Sequence, residues 1–169
     1  GGGDAARAPL NLPMMESALA ALCNVLNNSE EAKQALCNEV AAMQLLVSCL
    51  FSSSQRVREY SVGAIWNAVD GHPGNIAELH KASGVGALIH LMKQGSPLAQ
   101  QWAAAALGAG CEDELLQKDM YVNRGVGVLI GLLSSDVPRT VEFACACLAG
   151  CCRFEPNQRL FEEGGGVRL

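Results

Sequence analysis

Residues 55–70 read QRVREYSVGAIWNAVD, and the rest of the chain can be laid out around them. Val57, Ser61, Ala64, Ile65 and Ala68 recur three or four residues apart, the spacing that puts side chains on one face of an α-helix. That face is apolar and mostly small, which predicts close helix packing. Its inner part, Ala64-Ile65-Trp66-Asn67, has counterparts in Ala21-Leu22-Cys23-Asn24, Ala106-Leu107-Gly108-Ala109 and Cys147-Leu148-Ala149-Gly150. The equivalent residues Leu22, Ile65, Leu107 and Leu148 are separated by steps of 43, 42 and 41. Self-similarity at such a period is the mark of stacked helical units.

Working outward, each unit reads as a short helix, an apolar helix and a long one. Ser52-Ser53-Ser54 is the turn before the starting helix. Ahead of that turn, residues 40–51 form a helix that is apolar nearly all round (Leu45, Leu46, Val47, Leu50), which predicts burial on several sides. Ser29 can cap a short helix over 30–37. Further upstream Pro13 stands at a first helical position. Residues 14–27 then carry a first long helix with Met14, Ala18, Ala21, Leu22 and Val25 on its buried face.

Downstream the order repeats. His72-Pro73-Gly74-Asn75 reads as a break, 76–82 as a short helix, Ser83-Gly84 as a stop and 85–93 as an apolar helix. Gly95-Ser96-Pro97 supplies a turn, an N-cap and a first-turn proline for a long helix over 97–111. The next unit has a short helix over 112–123, a stop at Arg124-Gly125, an apolar helix over 126–133 and a long helix over 137–152. A short helix over 155–163 follows, then Gly164-Gly165-Gly166.

These marks together resemble the armadillo repeat family. They are a glycine just before the apolar helix (Gly84, Gly125, Gly165), the apolar helix itself (ALIHLM, VLIGLL), a serine-rich turn, and the small-small-Leu-x-Asn pattern of the third helix. The resemblance covers about 13–169 and implies an all-α fold. Its expected form is a right-handed α-solenoid with three helices per repeat and about three and a half repeats. On this expectation 1–12 is a linker or disordered lead-in and 13–169 the solenoid. Its parts are a partial repeat (13–40), repeats over 41–84, 85–125 and 126–165, and the start of a further repeat (166–169). Opening on a third helix and stopping at a second leaves both ends without a polar cap, so a piece of a longer armadillo-repeat protein is expected.

Composition narrows the function. Hydrophobic residues make up 50% of the chain, which suits an array that buries faces between neighbours throughout, and aromatics are only 5%, so small residues carry much of the packing. A net charge of −5 argues against a nucleic-acid footprint or a polybasic membrane surface. No run of about 18 apolar residues appears, and no signal-peptide layout opens the chain, so a cytoplasmic protein is expected, cytoskeletal or ciliary settings included. The eight cysteines show no CxxC pair and no histidine at ligand spacing, so no metal is implied. They read as small core residues of a reducing compartment, although Cys147 and Cys151, one helical turn apart, could pair.

Catalytic motifs are missing. Gly84-Val85-Gly86 and Gly125-Val126-Gly127 do not complete a phosphate loop, because Ile89 and Ile130 hold the third glycine position and no strand precedes them. They read as glycine stops between helices. His72, His80 and His90 have no repeated nucleophilic or acidic partner, and His90 is expected as a core histidine. No enzyme activity and no cofactor are expected.

Viewed end on at about 100° per residue, Arg56 and Tyr60 lie within about 20° of Asn67, on a stripe apart from the buried face. The resemblance implies that this stripe lines a concave groove in which asparagines hold the backbone of an extended peptide. Asn24 and Asn67 match the family's asparagine, whereas Ala109 and Gly150 do not. The tryptophans of an importin-alpha-like groove would stand at Ala20, Gly63, Ala105 and Ala146, so a transport receptor is disfavoured. The stripe carries instead Tyr60, Trp102 and Phe143, with Arg56, Leu98 and Arg139 one turn earlier. Aromatics and arginines dominate binding hot spots, so these residues, with Asn24 and Asn67, form the expected partner-binding groove. The plainer alternative is that the rings wedge between adjacent third helices.

The expected function is a non-enzymatic scaffold that binds an extended or helical protein segment within a cytoskeletal, ciliary or signalling assembly. Further repeats or a neighbouring protein are expected at the ends, and no nucleic acid or membrane. The runner-up is the substrate-docking region of an armadillo-type ubiquitin ligase, in which a domain outside this segment does the chemistry. Glu30, Glu31, Glu112, Asp113, Glu114, Glu155, Glu162 and Glu163 cluster in or beside the short helices, as a solvated outer side would.

Overall fold

A computed structural model describes residues 11–166. Eleven α-helices occur among them: α1 (Leu12–Asn28), α2 (Glu30–Asn38), α3 (Ala42–Cys49), α4 (Gln55–Val69), α5 (Pro73–Lys81), α6 (Gly84–Gln94), α7 (Pro97–Gly110), α8 (Glu114–Val122), α9 (Gly125–Leu132), α10 (Pro138–Cys151) and α11 (Glu155–Glu163). The expected lead-in over 1–12 lies outside the described residues except for Asn11 and Leu12, which already belong to α1 as its cap and first residue. The expected start of a further repeat also lies outside them, Gly166 excepted.

Short polar side chains set most of the helix starts. Ser29, Ser54, Ser96 and Asp113 each accept a hydrogen bond from a backbone N–H of the first turn, and His72 does the same through Nδ1. The His72 cap corrects the expected break over 72–75. Pro73 is preorganised for the first turn, so α5 begins there rather than at Ile76. Asp113 likewise moves the start of α8 to Glu114.

The turns from a short helix into an apolar one bend at Ala41, Ser83 and Arg124, with φ of 63°, 55° and 57°, and at Gly165, with φ of 83°. This corrects the reading of Gly84 and Gly125 as stops. Both are the first residues of their helices, and they are glycine because of contact. A Cβ on Gly84 would stand 2.1 Å from Leu79 Cδ1, and one on Gly125 would stand 2.5 Å from Met120 Cε. Gly166, not Gly165, is their equivalent, since its Cβ would meet Phe161 at 2.2 Å.

The core runs the length of the array. Val57, Ser61, Ala64, Ile65 and Ala68 are fully buried as expected, in a helix packed against α1, α3 and α7. The equivalent face of α1 is not buried. Met14 and Val25 are 67% and 54% exposed, Ala18 and Ala21 are exposed, Leu22 is half-buried, and Leu19 and Leu26 carry the contact instead. The reason is positional. In α4 this face meets α3, whereas α1 has no apolar helix of its own unit among the described residues and turns Leu19 and Leu26 towards α4. Leu45, expected inside, is 65% exposed for a related reason, because the buried residues that α3 turns to its neighbours are Met43, Leu46 and Val47, with Leu50 at its C-cap. His90 is exposed, not a core histidine, and its ring meets that of Phe51 at 5.7 Å.

Candidate functional site

The four long helices α1, α4, α7 and α10 pack side by side in that order. Their N-terminal serines do two jobs. Ser54 and Ser96 cap their own helices and donate through Oγ to Glu16 Oε1 (2.8 Å) and Glu59 Oε1 (2.6 Å) of the preceding long helix. Gln101 and Val137 replace this pair at the third junction, so the link is not repeated there.

On this face the expected aromatics are all half-buried against the edge of the core. Trp102 lies over Gly63 of α4, where an added Cβ would stand 3.1 Å from its ring. Phe143 meets Trp66 edge-on, with centroids 5.5 Å apart and planes at 70°. The Arg139 guanidinium lies 5.5 Å from the Phe143 centroid. Leu98 is 39% exposed, Arg139 is exposed, and Arg56 is exposed beside Glu16 at 3.7 Å. The two asparagines do not act together. Asn24 is exposed, while Asn67 donates through Nδ2 to the Cys23 carbonyl at 2.8 Å, which ties α4 to α1.

Trp66 was not among the candidates by spacing, since it lies about 100° round the helix from Asn67. Its partner is two units away, on α10, beyond the intervening α7. The smallness of the equivalent positions Cys23, Gly108 and Ala149 was the available signal, and a Cβ on Gly108 would stand 3.7 Å from Cys147 of α10.

A second missed set is buried and polar. Asn75 Nδ2 donates to the Lys33 and Ala68 carbonyls at 3.0 and 2.8 Å, and Asn157 Nδ2 to the Gln117 and Cys151 carbonyls at 2.8 and 3.0 Å. Gln117 Nε2 returns to the Cys111 carbonyl at 2.9 Å and Lys33 Nζ to the Asp70 carbonyl at 2.7 Å. Asn75 and Asn157 each close the end of a long helix and tie two short helices, and Gln117 closes the end of α7, a structural use of polar burial. Amide side chains near the start of the short helices were the sequence signal.

The thiols are unpaired: Cys111, Cys147 and Cys151 are buried and Cys145 exposed. The neighbouring Cys111 and Cys151 thiols, followed by burial, push the Cys147 thiol well above its usual value. The Cys147 thiol in turn lowers those of Cys111 and Cys151. Among the described residues no group of three or more His, Cys, Asp or Glu could hold a metal ion, and no helix is long and apolar enough to cross a membrane.

The Armadillo/beta-catenin-like repeat family matches residues 29–70, from the cap of α2 to the C-cap of α4. No curated protein sequence matches the chain. An engineered protein of solved structure superposes with a TM-score of 0.88 at 23% identity, over 95% of this chain and 65% of its own. A designed armadillo repeat protein in complex with the peptide (KR)4 gives 0.82 at 23%, over 90% of this chain and 65% of its own. Computationally designed armadillo repeat proteins for modular peptide recognition give 0.82 at 26%, over 92% and 67%. The chain thus spans about two thirds of the length of these structures. Residues 29–70 thus match an armadillo repeat, and the chain has the all-α solenoid fold of armadillo repeat structures.

Proposed function

We propose that the chain is a non-enzymatic protein-binding scaffold that docks an extended or helical segment of a partner across its long helices. The observation that carries this is the aromatic row on α4, α7 and α10, half-buried and flanked by the exposed Arg56, Leu98 and Arg139. Rigid rings offer contact area at small entropic cost, and stacked units hold them at fixed spacing before a partner arrives. Grip comes from ring stacking and arginine more than from backbone amides, since Asn67 is engaged with Cys23 and the positions of Ala109 and Gly150 carry no amide side chain. Peptide binding by designed proteins of this fold supports the reading. The setting that fits is a cytoplasmic assembly, cytoskeletal, ciliary or signalling, whose reducing conditions suit eight thiols.

The test uses affinity purification from the source cells with wild type and an Arg56→Glu, Leu98→Asp, Arg139→Glu variant, all exposed positions chosen to spare the core. A partner held by wild type and lost by a variant with wild-type circular dichroism supports the reading. A partner held equally by both sinks it.

A further inference from the structure

The outer edge of the array carries the same slot three times, between the short-to-apolar turn of one unit and the short helix of the next. The repetition allows a comparison within one chain. The first slot, about 200 Å³, is lined by Val40, Ala41, Met43 and Gln44 against Glu78, Lys81 and Ala82. The second, about 390 Å³, is lined by His80, Lys81, Ser83, Val85 and Gly86 against Asp119 and Asn123. It is plugged by polar groups: His80 Nδ1 meets Asp119 Oδ2 at 2.5 Å, and Asn123 Oδ1 stands 2.9 Å from where a Cβ on Gly86 would be.

The third slot, lined by Tyr121, Val122, Arg124 and Gly127 against Leu160, is the largest at about 620 Å³. Every plug has been exchanged at the equivalent position 41 residues on. Tyr121 stands for His80, Val122 for Lys81, Leu160 for Asp119 and Gly164 for Asn123. As a result Gly127 has nothing within 4 Å of its Cβ position, and Tyr121 and Val122 are 45% and 74% exposed. Phe154 fixes the Tyr121 ring edge-on at 6.2 Å. Among the described residues Arg124 is the one charged residue of the lining. It is held in a left-handed turn and makes no ion pair among the described residues.

We propose that this third slot is a docking pocket for a partner peptide carrying an aliphatic or aromatic anchor next to a carboxylate. The anchor enters between Tyr121, Gly127 and Leu160, and the carboxylate takes the Arg124 guanidinium, which has no acidic neighbour among the described lining residues. A basic segment is disfavoured by the same charge. None of its described lining residues belongs to a long helix.

The probe is an acetylated, amidated peptide with an Asp-Leu-Phe-Asp centre flanked by Gly and Ser, titrated to about 1 mM against the isotope-labelled chain and followed by amide NMR shifts. Saturable shifts at Gly127, Leu160 and Tyr121 are expected, with none for a peptide carrying Lys in place of Asp. Arg124→Asn keeps a residue that tolerates the left-handed turn and should weaken binding about tenfold. The double variant Tyr121→His, Leu160→Asp writes the second slot's plug into the third and should abolish binding. If that variant loses its fold, Arg124→Asn alone decides. The proposal is overturned by equal binding of the Lys peptide, by unchanged affinity in Arg124→Asn, by shifts confined to α4, α7 and α10, or by no shift at all. Movement of the Gly127 and Leu160 amides on simple dilution, which would put a second copy in the pocket, also overturns it.

Discussion

Among the described residues, three without glycine's freedom hold a left-handed backbone: Ala41, Ser83 and Arg124. That conformation costs a side-chain-bearing residue roughly 1–2 kcal/mol, partly offset by the greater unfolded entropy of glycine. Ala41→Gly should therefore raise the unfolding free energy by about 0.5–1 kcal/mol in urea titrations, while Ser83→Val should lower it. The following glycines obey a different rule. Gly84→Ala places a methyl group against Leu79 and should cost about 1–3 kcal/mol by overpacking, whereas Gly131, helical with open space around it, should gain roughly 0.5–1 kcal/mol from the same change. A glycine-rich pattern thus hides two needs that only contact separates, which is why 84 and 125 were legible as glycines but not as contacts. Titration acts at the same scale. Burial first and Cys151 second push the Cys152 thiol up to about 12 from 9.0, so the unfolded thiol ionises while the folded one stays protonated. The stability it contributes is whole below pH 9.0 and is lost as pH rises from there through about 12. Between pH 8 and 11 wild type should lose stability more steeply than Cys152→Ala, and parallel slopes would contradict the assignment.

Among the elements, the short helices are tied down by amides whose loss leaves buried carbonyls bare. Asn75→Ala removes two donors from Lys33 and Ala68, and Asn157→Ala two from Gln117 and Cys151, so each should cost about 1–3 kcal/mol. The sites are far apart, so the double variant should lose nearly the sum in urea unfolding. Helix type and order were legible because caps and apolar periods are local, as the Ser29, Ser54 and Ser96 caps show. Burial was legible only where a helix has neighbours on all expected sides. The same positional pattern is fully buried in α4 and open in α1, and Leu45 and His90 face out although their helices are apolar. Amphipathicity reports what a face could bury. The stacking order decides what it does bury.

For the whole molecule, a stacked array is held by contacts between adjacent units, and its curvature is then the sum of small, independent rotations. Trp66 and Phe143 break that independence, since α4 and α10 touch across α7. Neither ring's partner was legible from the period, which relates each unit to the next and says nothing of the unit after that. The aromatic row itself was legible, because Tyr60, Trp102 and Phe143 recur at one helical position. If the edge-on pair fixes the curve, its energy should appear as coupling between repeats that are not neighbours. A double-mutant cycle of Trp66→Leu and Phe143→Leu should give about 0.5–1.5 kcal/mol of interaction beyond the single losses. In hydrogen exchange, Trp66→Leu should loosen amides of α10 without equal loosening of α7. The α7 contacts to both neighbours remain, whereas α10 loses a partner it meets only across the curve. Purely additive variants, or loosening that stops at α7, would mean that the rings touch without holding the superhelix closed. The spacing of the long-helix face would then be set by adjacent packing alone.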